Sequence, residues 1–169
     1  PPIIEGPGGE CISQTTAILA FLGKKFGFYP SEQYEFNALQ IALSVADFQM
    51  EGQNAYHPVD PNGSYADQME EAKVSIAKFS SVRIPMWLRH FDHAIKLVEG
   101  HYLYGSTLTY ADIALYHVLS ACEAQFPEVF AAQVTPETKA FVDRVASHPP
   151  LAAYLASDRC RPWGGDSMM

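Results

Sequence analysis

The feature that most constrains this chain is a helix with no polar side to turn toward water. Leu108-Thr109-Tyr110-Ala111-Asp112-Ile113 reads as a helix start. Thr109 as N-cap accepts from the backbone N–H of Asp112, and the Asp112 carboxylate reaches back to the N–H of Thr109. Leu108 and Ile113 supply the two halves of a hydrophobic staple. From Ile113 to Cys122 no acidic or basic residue follows except a neutral His117. A helix apolar all round belongs in the middle of a bundle, so the chain has to supply other helices to surround it.

The pattern from Ser31 onward supplies them. Phe36, Leu39, Leu43, Ala46 and Met50 recur at spacings of three and four and predict one apolar stripe. His57 to Ser64 is polar and carries Pro and Gly, as a loop does. Met69, Ala72, Ile76 and Phe79 set a second stripe, which Ile84, Leu88, Phe91, Ile95 and Val98 continue in a shifted phase. Pro85 between them lacks a backbone donor and clashes with the carbonyl of Ser81, which predicts a kink or break. Thr135-Pro136-Glu137 opens a helix running to Ser147, Pro149-Pro150 breaks it, and Leu151 to Ser157 forms a last short one.

The first 27 residues differ in character. Ile3-Ile4-Glu5 and Cys11-Ile12, joined by a Gly-rich turn, predict a β-hairpin. Ser13-Gln14-Thr15-Thr16 then leads into Ala17-Ile18-Leu19-Ala20-Phe21-Leu22, a helix closing near Gly23 or Gly27. Strand, strand and helix make half of a small α/β unit, whose sheet needs a further segment or a partner to bury both faces. Phe28-Tyr29-Pro30 is a linker, and Gly164 to Met169 is expected to be a mobile tail. The fold class is mainly α: an α/β half-domain followed by a bundle of about five helices.

Composition narrows the function. A formal charge of −8 argues against nucleic acid, since phosphate binding needs a basic stripe and Lys24-Lys25 is the only adjacent basic pair. No apolar run approaches the roughly 20 residues that span a bilayer, and the start lacks the features of a signal peptide. Cys11, Cys122 and Cys160 are scattered and odd in number, as reduced thiols of a cytoplasmic protein are, and Cys11 is expected in the core. His90 and His93 sit three apart on a predicted helix and read as a solvated face rather than a metal site. Asn62-Gly63-Ser64 reads as a turn.

Three of these segments, in this order and spacing, resemble cytosolic glutathione transferases over nearly the whole chain. Pro2-Ile3-Ile4-Glu5 followed by Ser13-Gln14-Thr15-Thr16-Ala17-Ile18 looks like the second half of that family's thioredoxin-like glutathione-binding domain. There a cis-proline begins a strand, and a Gln-Ser or Gln-Thr pair opens the next helix. Leu108 to Ala114 is similar to the capping box and staple of the family's central helix, and Val145-Ala146-Ser147-His148-Pro149 with Leu151 to Ser157 resembles its closing segment. The Gln-Thr form points toward the alpha, mu, pi and sigma group. The resemblance implies that residues 1–27 end the thioredoxin-like domain, that 31–163 form the all-helical C-terminal domain, and that 164–169 are a tail.

It also implies a site. Gln14 and Thr15 match the pair that holds the γ-glutamyl end of glutathione, the co-substrate; read from the residues alone, Ser13 or Thr15 simply caps the helix. A helix N-terminus suits the first role, because its free N–H groups and positive dipole end attract a carboxylate. Pro2 matches the cis-proline, with Ile3 following it on the strand. The residue before it, whose backbone pairs with the cysteinyl part of glutathione in the family, is here Pro1, which has no N–H to give. Asp47 lies near where relatives send a carboxylate across a homodimer interface to the partner's glutathione; a solvated Asp is the other reading. Met50, Tyr56 and Trp163 are expected around the acceptor substrate, with plain core packing as the alternative.

No residue matches the family's thiol-activating Tyr, Ser or Cys, which precedes the cis-proline, so the catalytic residue is unassigned. Two functional readings follow. One is a cytoplasmic detoxifying transferase that conjugates glutathione to small hydrophobic electrophiles as a homodimer, without metal. The other is a non-catalytic relative serving as a structural or scaffold subunit of a larger assembly.

Overall fold

The computed structural model describes residues 2–6 and 8–164. Strands β1 (Ile3–Glu5) and β2 (Cys11–Ser13) form the expected antiparallel hairpin, with Ile3 opposite Ser13 and Glu5 opposite Cys11. Helix α1 (Thr15–Phe26) follows at once and stops at Gly27, whose φ of 79° is the left-handed turn that glycine adopts without steric cost. The linker folds back on α1, Phe28 N–H donating to Gly23 O at 2.8 Å.

Seven helices follow: α2 (Glu35–Tyr56), α3 (Met69–Lys78), α4 (Ile84–Lys96), α5 (Tyr110–Gln125), α6 (Pro127–Gln133), α7 (Pro136–Ala146) and α8 (Pro149–Leu155). Helix α5, whose stretch from Ile113 to Cys122 carries no acidic residue, Lys or Arg, does run through the middle, packed on α2, α1, α6 and α7. Its capping box forms. Asp112 Oδ2 accepts from the Thr109 N–H at 2.7 Å and from Thr109 Oγ1 at 2.6 Å, while Oδ1 accepts from the Leu103 N–H at 2.7 Å. Burial pushes the Asp112 carboxyl pKa up, and these three donors oppose that shift.

One expectation about a helix face is corrected. The stripe read on α2 is not its core face: Phe36, Leu43 and Met50 are 78 %, 50 % and 57 % exposed. The buried face is Ala38, Ile41, Ala42, Val45, Phe48 and Ala55. Both sets obey helical spacing, and the face that packs on α5 sets Ala38, Ala42 and Ala55 beside larger residues such as Phe48. Phe48 then reaches Phe79, Trp87 and Phe91, with ring centroids 5.8, 5.8 and 5.9 Å away.

The interruption expected at Pro85 is present just before it, as a change of helix type and not a gap. A π-helical turn, Phe79–Arg83, joins α3 to α4, and Ile84 N–H bonds Phe79 O five residues back. The wider turn accommodates the missing donor without separating the helices. The break expected at Pro149-Pro150 is present, α7 ending at Ala146, and Pro127 and Pro149 each stand at the first position of the next helix, where the N–H has no intrahelical partner to lose. Helix α6 was not predicted, and the bundle has more than the five expected helices. Cys11, expected in the core, is exposed. The mobility expected of the tail falls mainly on 165–169, outside the described residues, as does the Pro1–Pro2 bond, where a cis peptide was expected.

Candidate functional site at the start of the first helix

Gln14 is the only non-glycine residue with positive φ among the described residues, at φ 72° and ψ 118°. That conformation costs an L-residue on the order of 1–3 kcal/mol and persists only where the surroundings impose it. Here Ser13 is fixed by pairing with Ile3 on one side. On the other, Gln14 O accepts the first helical bond, from Ile18 N–H at 3.0 Å. The chain therefore turns sharply from strand to helix, leaving Gln14 and Thr15 exposed at the helix start. No side chain caps this end, so the plain capping role open to Ser13 or Thr15 is not taken. The helix presents free N–H groups and its positive dipole end, the chemistry that holds a carboxylate.

The site sits against the bundle. Thr15 and Thr16 open into a cavity of about 260 Å³ walled by Leu19, Ala42, Val45 and Ile113, with Gln49 and His117 as further polar groups. Helix α1 is held there by the Tyr110 N–H, which donates to Phe28 O at 2.7 Å, and by Gly23, where an added Cβ would lie 3.0 Å from the Tyr110 ring. His117 also borders a larger cavity of about 470 Å³ formed with α8 and the segment after it. Its ring lies 4.9 Å from that of Trp163, and desolvation pushes its pKa down. In the sequence His117 stands out only as the one imidazole between Ile113 and Cys122, with no pattern to mark it as part of a site.

The hairpin register lays Ile3 beside Ser13, the residue before Gln14 and Thr15. Ile3 is 62 % exposed, on a sheet of two strands. Asp47 is elsewhere: it is exposed on α2, one turn from Leu43 and near Met50, on the outer stripe. Met50, Tyr56 and Trp163 do not meet. Met50 is on that stripe, Tyr56 packs on Tyr65 with centroids 5.9 Å apart, and Trp163 stands against α5. Among the described residues no cluster of three or more His, Cys, Asp or Glu gathers as for a metal ion, and no helix is long and apolar enough to cross a membrane.

Residues 54–158 match the family described as glutathione S-transferase, C-terminal domain. The chain belongs to the glutathione S-transferase family. A glutathione S-transferase of Plasmodium yoelii yoelii is 27 % identical over 157 residues, 92 % of this chain and 67 % of the relative. Glutathione S-transferase A3 of Mus musculus is 28 % identical over 155 residues, 91 % of this chain and 65 % of the relative. The chain thus spans about two thirds of the length of these curated relatives. Among solved structures, the monomeric Na-GST-3 of Necator americanus superposes with a TM-score of 0.73 at 26 % identity, over 95 % of this chain and 75 % of that one. The transferase Blo t 8 gives 0.78 at 18 % identity over 99 % and 74 %, a likeness of fold. In this transferase-family chain, the strained Gln14 and the uncapped helix start fall within the segment that the resemblance assigned to glutathione.

Proposed function

We propose that the protein is a glutathione transferase, joining the thiolate of glutathione to small hydrophobic electrophiles in cytoplasmic detoxification. The observation that carries this reading is the α1 start: a strained Gln14 and an exposed Thr15 before an uncapped helix of twelve residues, beside an apolar cavity. In it, residues 1–27 close a thioredoxin-like glutathione-binding domain and 31–163 form the helical domain. Gln14, Thr15 and the free N–H groups of α1 receive the γ-glutamyl carboxylate, and the Pro2-Ile3 strand lies along the cysteinyl part.

Glutathione supplies the nucleophilic sulfur, whose thiol pKa, ordinarily about 8.5, has to be lowered for thiolate to dominate near neutrality. The activating group is not assigned to any described residue. The chain's own contribution is to bind and orient the peptide, which raises the rate by fixing the attacking atom near its target.

The outer stripe of α2 supports a homodimer. Phe36, Leu43 and Met50 stand one above another at seven-residue spacing, exposed, with Asp47 among them. A carboxylate in the centre of such a stripe is placed to cross to a second copy's glutathione amine. A related solved structure is described as monomeric, so the stripe carries the dimer reading and family membership does not. Retention of the full-length protein on immobilised glutathione tests the site: wild type is retained and Gln14→Ala elutes early. A wild type that flows through ends the assignment.

A further inference from the structure

The loop between α2 and α3 carries chemistry that the transferase reading does not use. Asp60, Pro61 and Asn62 are exposed at its tip, and the Gly63 N–H donates to Asp60 O at 3.0 Å to close a tight turn. Proline in the second place and glycine in the fourth suit such a turn. The Asn62 N–H donates to Asp60 Oδ1 at 2.9 Å. From the inside the loop is held by Gln68, which is 4 % exposed. Its Oε1 accepts from the Val59 N–H at 2.9 Å and the Asp60 N–H at 3.2 Å. Its Nε2 donates to Asp60 O at 2.9 Å and to Ser64 O at 3.3 Å. The chain has three asparagines. Asn37 and Asn54 lie in α2, each followed by alanine, where the helix fixes the backbone; only Asn62 stands in a loop and precedes glycine.

A backbone nitrogen attacks the side-chain amide carbon of the preceding asparagine when no Cβ crowds the nitrogen and the backbone between them can rotate. Both conditions hold at Gly63. It has no Cβ, and the rotation breaks a single turn hydrogen bond at an exposed tip. We propose that Asn62 is a site of spontaneous deamidation through a cyclic imide with Gly63, and that its conversion releases the loop from Gln68. In the first step Gly63 N bonds to Asn62 Cγ, the Cγ–Nδ2 bond breaks, and ammonia leaves with the proton from Gly63 N. Water then opens the imide at one of its two carbonyls. Opening at Cγ yields aspartate, and opening at the main-chain carbonyl yields isoaspartate, with the chain running on through Cγ. Either product sets a new carboxylate close to that of Asp60, where like charges repel. Isoaspartate also lengthens the main chain inside the turn by one methylene carbon. Residues 60–64 then no longer match the Gln68 amide, and a buried amide that loses its partners is costly.

The test holds the folded full-length protein at neutral and mildly alkaline pH and physiological temperature, and follows it by peptide mapping with mass spectrometry. The amide-to-carboxyl mass change should accumulate at Asn62, faster at the higher pH because attack requires the deprotonated Gly63 nitrogen. Labelling by an isoaspartyl methyltransferase should score the isoaspartate product, and Asn37 and Asn54 should stay intact. Aged wild type should melt at a lower temperature and exchange its Val59 and Asp60 amide hydrogens faster, whereas aged Asn62→Ser should do neither. Gly63→Ala should slow conversion several-fold, since the added Cβ crowds the nitrogen and would lie 3.2 Å from the Asp60 side chain. An Asn62 that persists in the folded protein while a peptide of residues 58–66 converts overturns the proposal, because the turn then protects the amide. So does conversion spread equally over the three asparagines, or conversion at Asn62 that leaves melting and exchange unchanged.

Discussion

Replacing Asp112 with alanine removes both acceptors of the α5 start in one step. The Leu103 N–H at 2.7 Å and the Thr109 N–H at 2.7 Å lose their partner, and both residues are buried. A buried donor left unsatisfied costs about 1–3 kcal/mol, so two cost about 2–6 kcal/mol. Part is returned, because the wild-type carboxylate is itself penalised by burial, as its raised pKa records. The expected net loss is about 2–4 kcal/mol. Asp112→Asn keeps one oxygen and turns an NH₂ group toward the other donor, so it should cost about half as much. Urea unfolding followed by circular dichroism reads both, as a fall in the midpoint at constant slope. For a chain of this size each kcal/mol lowers the melting temperature by about 2–4 °C. A loss below about 1 kcal/mol for Asp112→Ala refutes the view that this carboxylate closes the loop before α5. An asparagine variant as damaged as the alanine one refutes the accounting by acceptors.

Gln14→Gly relieves the positive φ, so it should leave stability equal or raise it while weakening retention on immobilised glutathione; a parallel fall in both would show that Gln14 is structural. Leu43→Glu, on the exposed stripe, should keep melting within about 0.5 kcal/mol of wild type and yield a monomer by light scattering where wild type is a dimer. Asp92 loses solvation, which pushes its pKa up, but donors from Thr135, Lys96 and Thr138 outweigh this and hold it below the usual carboxylate value. Its stabilisation is therefore complete above the unfolded pKa of about 3.9 and fades as pH falls through the lower folded value. The stability gap between wild type and Asp92→Asn, measured by urea unfolding across acid pH, should stay flat near neutrality and narrow below about pH 4.

What the sequence by itself determined is what neighbouring residues decide among themselves. The capping box of Thr109 and Asp112, the hairpin of Ile3–Glu5 with Cys11–Ser13, and the glycine that ends α1 each close within a few positions of the chain, so residue type and spacing suffice. So does the burial of α5, whose stretch from Ile113 to Cys122 holds no Asp, Glu, Lys or Arg. The tertiary structure decided the rest. Helix α2 carries two apolar stripes, both at helical spacing, and only packing on its neighbours selected the one through Ile41, Val45 and Phe48 for the core. Pro85 reads locally as a kink or break, and packing chose a π-helical turn that keeps the two helices joined. Asp92 found its donors at Thr135 and Thr138, which lie 43 and 46 positions away. Gln14 and Thr15, the residues proposed to receive glutathione, could be named from the chain. The setting of Thr15 beside α2 and α5 comes from contacts whose free energy depends on distant residues being brought together, which no local pattern encodes.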